Sequence, residues 1–370
     1  MLPPNAVLST VVRVERDKDG GAAVHLEGER RARLDPSDER ARALGDVLDG
    51  LAARGRPAYL ELDDSGAITR LLIPHVAHVI GVRPLDEGVL AVDLDSSHAR
   101  HLLRSGVEDF EALRDRLEES LREGTPVIVT EDDAHEIFDV RAYRPAPGGP
   151  DVLPFPRPPL PEPRPRPFPW RLWRWLVEWP WWPWHWLSWF LGCVSPARAQ
   201  EAFDAMSATS CNPNAVAAPC IPFLYPDDGC WGRAHEMCRL MRNMGLRPRK
   251  VWIQGSLVAA TRNNPNCKVH WGWHVAPTLC VRGPRFWIRQ PQVIDPALFD
   301  TPVSKATWKG AQGDPTAALT ATDWTRFKWV WDPNLTDPNF TQTNQVLADH
   351  RLALQARVAQ EGPPPYPQCP

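Results

Sequence analysis

Between Pro145 and Pro169 proline recurs at almost every second position, with arginines in between. Proline fixes φ, offers no backbone N–H and pushes the preceding residue out of the α region, so such a run joins neither a helix nor a sheet ladder. It runs as an extended polyproline II spacer. A chain of 370 residues interrupted in this way has to fold as separate bodies on either side, each large enough for a core of its own. The expected organisation is an N-terminal α+β domain over 1–144, the Pro-rich linker over 145–169, a Trp-rich segment over 170–194, a second α+β domain over 195–360 and a Pro-rich tail over 361–370. Nine tryptophans crowd into Trp170–Trp189, and Pro180 and Pro183 break any helix there at its centre. With Arg171, Arg174 and Glu178 nearby, this is no simple transmembrane span. Two readings stand: an interfacial segment making peripheral membrane contact through Trp170–Phe190, or a cover packed on a groove of the protein itself.

The N-terminal stretch alternates short apolar runs with turn residues. It predicts strands at Val7–Val14, Ala58–Leu62, Ile68–Ile73, Val76–Val82, Val89–Leu94 and Thr125–Val129, and helices at Ser37–Ala53 and Val107–Arg122. No catalytic constellation stands out in it. His75, His78, His98 and His101 are scattered and read as surface or core histidines, the alternative being that His98 and His101, spaced i,i+3, share one helix face, and Glu131-Asp132-Asp133 reads as a solvated turn. The net charge of −3 carries no polybasic signature of a nucleic-acid partner. With only six lysines against many arginines, and much alanine and proline, the composition is that of a GC-rich bacterial source. The first residues lack the basic and apolar regions of a Sec signal, so the expectation is a cytoplasmic protein or one exported by a signal-independent route. All eight cysteines follow position 190.

The chemistry-bearing residues lie in the second body. Ser195-Pro196 makes an N-cap and N1 pair for a helix to about Ala208. Within YPDDGCWGRAHEMCRLMRNMG (Tyr225 to Gly245), Cys230 falls at the first turn of a helix that Asp228 is expected to cap. There the unpaired N–H groups and the macrodipole favour thiolate over thiol. A lone cysteine at a helix start is ordinarily a structural thiol. Here WGWHVAP follows with His274 on a strand, and PQVIDPALF with Asp295 after it. Cysteine on a helix start, histidine on one strand and a carboxylate after the next is the chain order of papain-like and transglutaminase-like acyl-transfer folds. No CxxC pair occurs and His274 has no cysteine at ligand spacing, so no metal site is expected. Trp324–Trp331 reads as a last strand and Gln345–Gln360 as a helix with His350 on its surface.

Four motifs in order, PCIPFLYPDDGCWGRAHEM, KVWIQGSL, WGWHVAP and VIDPALFDTPVSKATW, resemble the bacterial protein-glutaminase (protein glutamine deamidase) family over about residues 199–310. The resemblance implies a transglutaminase-like catalytic domain without cofactor, acting on proteins or peptides with exposed glutamine. It also implies Cys230 as nucleophile, His274 as general base in preference to His270, and Asp295 as the residue orienting His274. Trp231, His235, Trp271 and Trp273 are candidates for the substrate groove, and Cys211 and Cys220 match a disulfide pair of that family. Trp231 and Gly232 depart from the tyrosine and alanine expected there, and Asn263 to His270 does not align. The triad itself also suits a transglutaminase or a cysteine protease. A non-enzymatic membrane- or protein-binding module is the remaining alternative.

Overall fold

The computed structural model describes residues 3–144, 193–283 and 289–370, so the Pro-rich linker and the Trp-rich run Trp170–Phe190 lie outside the described residues. In the N-terminal domain β1 (Ala6–Arg16), β2 (Ala22–Leu26) and β3 (Arg31–Leu34) are followed by α1 (Ala41–Ala52), β4 (Pro57–Leu62) and β5 (Ile68–Leu72). The strands form an antiparallel sheet in the order β3-β2-β1-β4-β5. α1 covers that sheet because Leu44, Val47, Leu48 and Leu51 recur on one face. The chain continues through β6 (His75–Ala77), β7 (Val79–Asp86), β8 (Val89–Leu94), β9 (His101–Arg104), α2 (Phe110–Glu123), β10 (Val127–Glu131) and β11 (Ile137–Ala142). These make two three-stranded sheets, β11-β10-β6 and β7-β8-β9, closed by Leu113 and Leu117 of α2.

The C-terminal domain starts with α3 (Pro196–Ser207), where Ser195 Oγ accepts from the Arg198 N–H at 3.1 Å. Then come α4 (Cys230–Asn243), β12 (Arg249–Ala260), β13 (Lys268–Arg282), β14 (Arg289–Val293), β15 (Val303–Ser304), α5 (Lys305–Gly310), β16 (Ala318–Asp323) and α6 (Thr341–Glu361). The sheet order is β15-β14-β13-β12-β16. Three disulfides brace the domain: Cys193–Cys280, Cys211–Cys220 and Cys267–Cys369. The third ties the C-terminal tail to the start of β13. Cys230 and Cys238 remain as thiols. Bridges of this kind persist in oxidising surroundings.

Several sequence expectations need correction. β2, β3, β9 and β11 are short strands that pairing with neighbours defines, and in β3, Arg31–Leu34, charge masks the alternation. His98 and His101 share no helix: His98 lies in the connection after β8, and His101 opens β9. Trp324–Trp331 is a series of turns, and the last strand is β16 just before it.

α6 belongs to both domains. Its Val346 and Leu347 pack against C-terminal-domain residues, whereas Leu352 and Ala356 sit in the core of the first domain with Leu44 and Leu48. Gln360 closes the seam by exchanging two 2.8 Å hydrogen bonds with the Leu71 backbone. Leu352→Ala should therefore cost about 2–5 kcal/mol. Denaturant unfolding followed by tryptophan fluorescence would read the loss, and Leu352→Ile should cost far less.

Candidate active site

Cys230 is the first residue of α4, and the turn before it needs glycine. Gly229 sits at φ 80°, in the left-handed region, and a Cβ there would meet His350 Nδ1 at 2.7 Å. The N-cap is thus Gly229, with no side-chain cap. The Asp228 carboxylate, expected to cap, is drawn elsewhere: its Oδ1 accepts from Nδ1 and the backbone N–H of His98 at 2.7 and 3.1 Å.

His274 lies on β13, and its Nε2 donates to Asp295 Oδ2 at 2.9 Å from the turn after β14. Trp308 Nε1 donates to the same oxygen at 2.8 Å. The imidazole is clamped by Trp271, stacked at 4.4 Å and 14°. Burial alone would raise the Asp295 pKa, but the His274 charge, its hydrogen bond and that from Trp308 hold it below the ordinary carboxylate value. This leaves His274 Nδ1 for the cysteine. One nitrogen of His274 and Cys230 Sγ lie within 4.8 Å of each other. The arrangement can pass a proton between thiol and imidazole while the carboxylate fixes the tautomer.

The Cys230 pKa is not lowered in this state. Burial pushes it up, and the opposing effects of the Arg233 charge and the Val275 backbone N–H are smaller. The helix-start argument holds for position but is outweighed by desolvation, because the N-terminal domain covers the groove. After β8 the chain lies along β13: Ala99 bridges Trp271, the Arg100 N–H donates to the His270 carbonyl at 2.9 Å, and the Gly272 N–H donates to the His98 carbonyl at 3.0 Å. The His98 ring is packed among Trp231, Trp271 and Trp273 and stacks 5.9 Å from His274. Burial pushes its pKa down to about 3 against the pull of Asp228.

Three of the four groove candidates, Trp231, Trp271 and Trp273, therefore line the space that His98 fills. His235 does not: it is buried between Phe327 and Phe340, accepts from Lys250 Nζ at 2.9 Å, and is pushed down to about 2 by burial and by Lys250. His270 stays outside the Cys230 group and meets the covering strand through its carbonyl. His350, read as a surface residue, is turned inward with Nε2 3.6 Å from Asp228 Oδ2. Sequence reasoning missed His98, Trp308 and the anchoring role of Asp228. Only Asp228 had a local signal, as one of two adjacent carboxylates beside the thiol.

A thiol at a helix start, an imidazole on the adjoining strand and a carboxylate in the turn after the next strand have the layout of cysteine acyl-transfer enzymes of the transglutaminase-like class. Residues 199–312 match the family model described as glutaminase. Among solved structures, an A47Q2 mutant of pro-protein-glutaminase is 22% identical, with 75% of this chain and 92% of that chain covered and a TM-score of 0.50. Pro-protein-glutaminase itself is 22% identical over 75% of this chain and 93% of that one, with a TM-score of 0.49. The protein-glutaminase from Chryseobacterium proteolyticum is 30% identical over 42% of this chain and 86% of that one, with a TM-score of 0.38. No curated protein matches the chain. Over residues 199–312 the chain thus carries the conserved region of the glutaminase family.

Because the thiol is desolvated, iodoacetamide at neutral pH should leave Cys230 and Cys238 unmodified in the intact protein. The denatured protein should take up two equivalents, one per free cysteine, and peptide mass mapping distinguishes these outcomes.

Proposed function

We propose that this protein is a protein-glutamine deamidase that the N-terminal domain holds in a latent state. The observation that carries the reading is the Cys230, His274 and Asp295 constellation lying under a strand, Ser97 to Arg100, that pairs with β13 as an extended substrate peptide would. In this reading a glutamine side chain enters where the His98 ring sits, walled by Trp231, Trp271 and Trp273.

Once the groove opens, Cys230 regains solvent and the field of the α4 N-terminus, and its proton passes to His274 Nδ1. The thiolate attacks the carboxamide carbon. The oxyanion is held by the Cys230 N–H, which as the first N–H of α4 has no intrahelical partner. His274 as imidazolium protonates the departing nitrogen, so that ammonia leaves and a thioester remains. A water deprotonated by His274 then attacks the thioester, glutamate is released, and the proton returns to the thiol. Asp295 and Trp308 hold the imidazole in the orientation that both half-reactions use.

Cleavage within 145–192, followed by separation of the N-terminal fragment, should raise ammonia release from glutamine-containing peptides. Unchanged activity on removal of that fragment would overturn the latency. In the opened enzyme Cys230→Ala should abolish release and His274→Ala should lower it by at least ~10³-fold, because nucleophile and base act as a unit. Asp295→Ala should cost less than either. Activity persisting in Cys230→Ala would refute the assignment.

Water is the proposed acceptor. A substrate protein incubated with a labelled primary amine should gain the mass of amide-to-acid conversions with little label. Stoichiometric labelling would favour a transglutaminase, and new peptide termini a protease.

A further inference from the structure

His98 and His274 are built alike. Each gives one ring nitrogen to a buried carboxylate: Nδ1 of His98 donates to Asp228 Oδ1 at 2.7 Å, and Nε2 of His274 donates to Asp295 Oδ2 at 2.9 Å. The opposite nitrogens, His98 Nε2 and His274 Nδ1, are buried without a hydrogen-bond partner among the described residues. A nitrogen from each ring and Cys230 Sγ all lie within 4.8 Å of one another, and the three residues are buried. A carboxylate on one imidazole nitrogen with the other left free is how proteins orient histidine toward a metal and raise its basicity. That arrangement occurs here twice, aimed at one thiol.

We propose that His98, Cys230 and His274 bind a zinc ion that clasps the N-terminal domain onto the catalytic groove. Two imidazoles and a thiolate are a donor set for Zn²⁺, whereas Mg²⁺ and Ca²⁺ take oxygen ligands. Tetrahedral zinc with Zn–N near 2.0–2.1 Å and Zn–S near 2.3 Å sets ligand atoms roughly 3.4–3.6 Å apart. No pair within 4.8 Å then has to close by more than about 1.4 Å, which side-chain rotation supplies. A water completes the fourth position. As the S–Zn bond forms the Cys230 thiol loses its proton to solvent, while both imidazoles coordinate as neutral ligands through the nitrogen not held by a carboxylate. The metal occupies the thiol and the imidazole together and takes its third ligand from the covering domain, so coordination and closure of the groove reinforce each other. The motif spacing that argued against a metal could not register this, because the third ligand comes from the other domain. The inhibitory consequence rests on the proposed function; metal binding itself does not.

The test uses the full chain, freed of metal by a chelator and titrated with Co²⁺ alone and then with Zn²⁺ alone. The expected result is one equivalent of Co²⁺ giving a thiolate-to-cobalt charge-transfer band and tetrahedral visible bands, both displaced by Zn²⁺. Cys230→Ala should lose the charge-transfer band. His98→Gln, which keeps a hydrogen-bonding side chain beside Asp228, should weaken binding by ~100-fold or more. Asp228→Asn should weaken it by about 10–100-fold, as loss of an orienting carboxylate does. Circular dichroism would establish that each variant is folded. Absence of a charge-transfer band in the wild type would overturn the proposal, as would unchanged affinity in folded His98→Gln. Failure of the deamidase reading would look different: no ammonia from glutamine peptides with or without chelator, and an unaltered cobalt spectrum.

Discussion

Two adjacent carboxylates with almost no contact with solvent, Asp227 and Asp228, govern how the two domains meet. A buried charge is tolerated only with partners, and each of the two carboxylates draws its partners from both domains and from α6. Arg357 of α6 donates to Asp227 at 2.5 and 3.1 Å, Asn264 donates to it from the loop before β13, and His135 of the N-terminal domain stands 3.9 Å away. Asp228 takes His98 from the N-terminal domain and His350 from α6. Burial would raise the Asp228 pKa, but the bonds from His350 and His98 hold it well below the ordinary value. His135 is the complement. Burial opposes its charge, yet Glu131, bonded at 2.7 Å, together with Asp227 and Asp228 raises it to about 9. The turn that sets the thiol at the start of α4 is therefore also the electrostatic seat of the covering domain.

The same burial accounts for the state of the thiol. A helix N-terminus contributes roughly half a positive charge, whose influence falls off within a turn, and it favours thiolate where the site remains polar. Packed beneath His98 and three indole rings, Cys230 has lost the water that would solvate its anion, and desolvation dominates. Position and protonation are thus separable. The first is a property of α4 and Gly229, the second of what lies over them.

Much of the catalytic domain was legible because its signals are local. Ser195-Pro196 and the Ala199, Phe203, Met206 face specify α3, the Asp-Asp-Gly turn and the apolar spacing after it specify α4, and alternation in WGWHVAP marks β13. Cys230, His274 and Asp295 each stood at an element boundary or strand position readable from its neighbours. His98 did not. Its surroundings, Asp95-Ser96-Ser97-His98-Ala99-Arg100, carry no periodicity, and its partners Asp228 and Trp271 belong to the other domain. The inward turn of His350 was hidden for the same reason, since a helix pattern tells which face is apolar and not which buried carboxylate waits beside it. The weak amphipathicity of α6 has a physical cause as well: one stretch of it faces the catalytic domain and another the N-terminal core, so its apolar residues occupy no single stripe.

That shared helix sets the terms on which the groove would open in the proposed latent enzyme. The segment laid along β13 is held by two backbone hydrogen bonds, by the Arg100 guanidinium donating to Ser256 Oγ and to the Gly255 and Trp271 carbonyls, and by a ring of aromatic contacts. Withdrawing the N-terminal domain also uncovers Leu352 and Ala356, breaks the two Gln360 bonds and removes His98 and His135 from the paired carboxylates. Burial of apolar area contributes roughly 25 cal/mol per Å², and each newly unpaired buried charge adds a penalty of its own. Opening is therefore coupled to the stability of α6 and of the Asp227–Asp228 turn, so the covering domain cannot leave by a local breathing of residues 97–100 alone. The three disulfides all lie on the catalytic side of the seam, two of them tying its flanking residues Cys193 and Cys369 to β13 and to the residue before it, and none crosses the seam. The catalytic body is thereby braced against the departure of a domain to which, among the described residues, only non-covalent contacts join it.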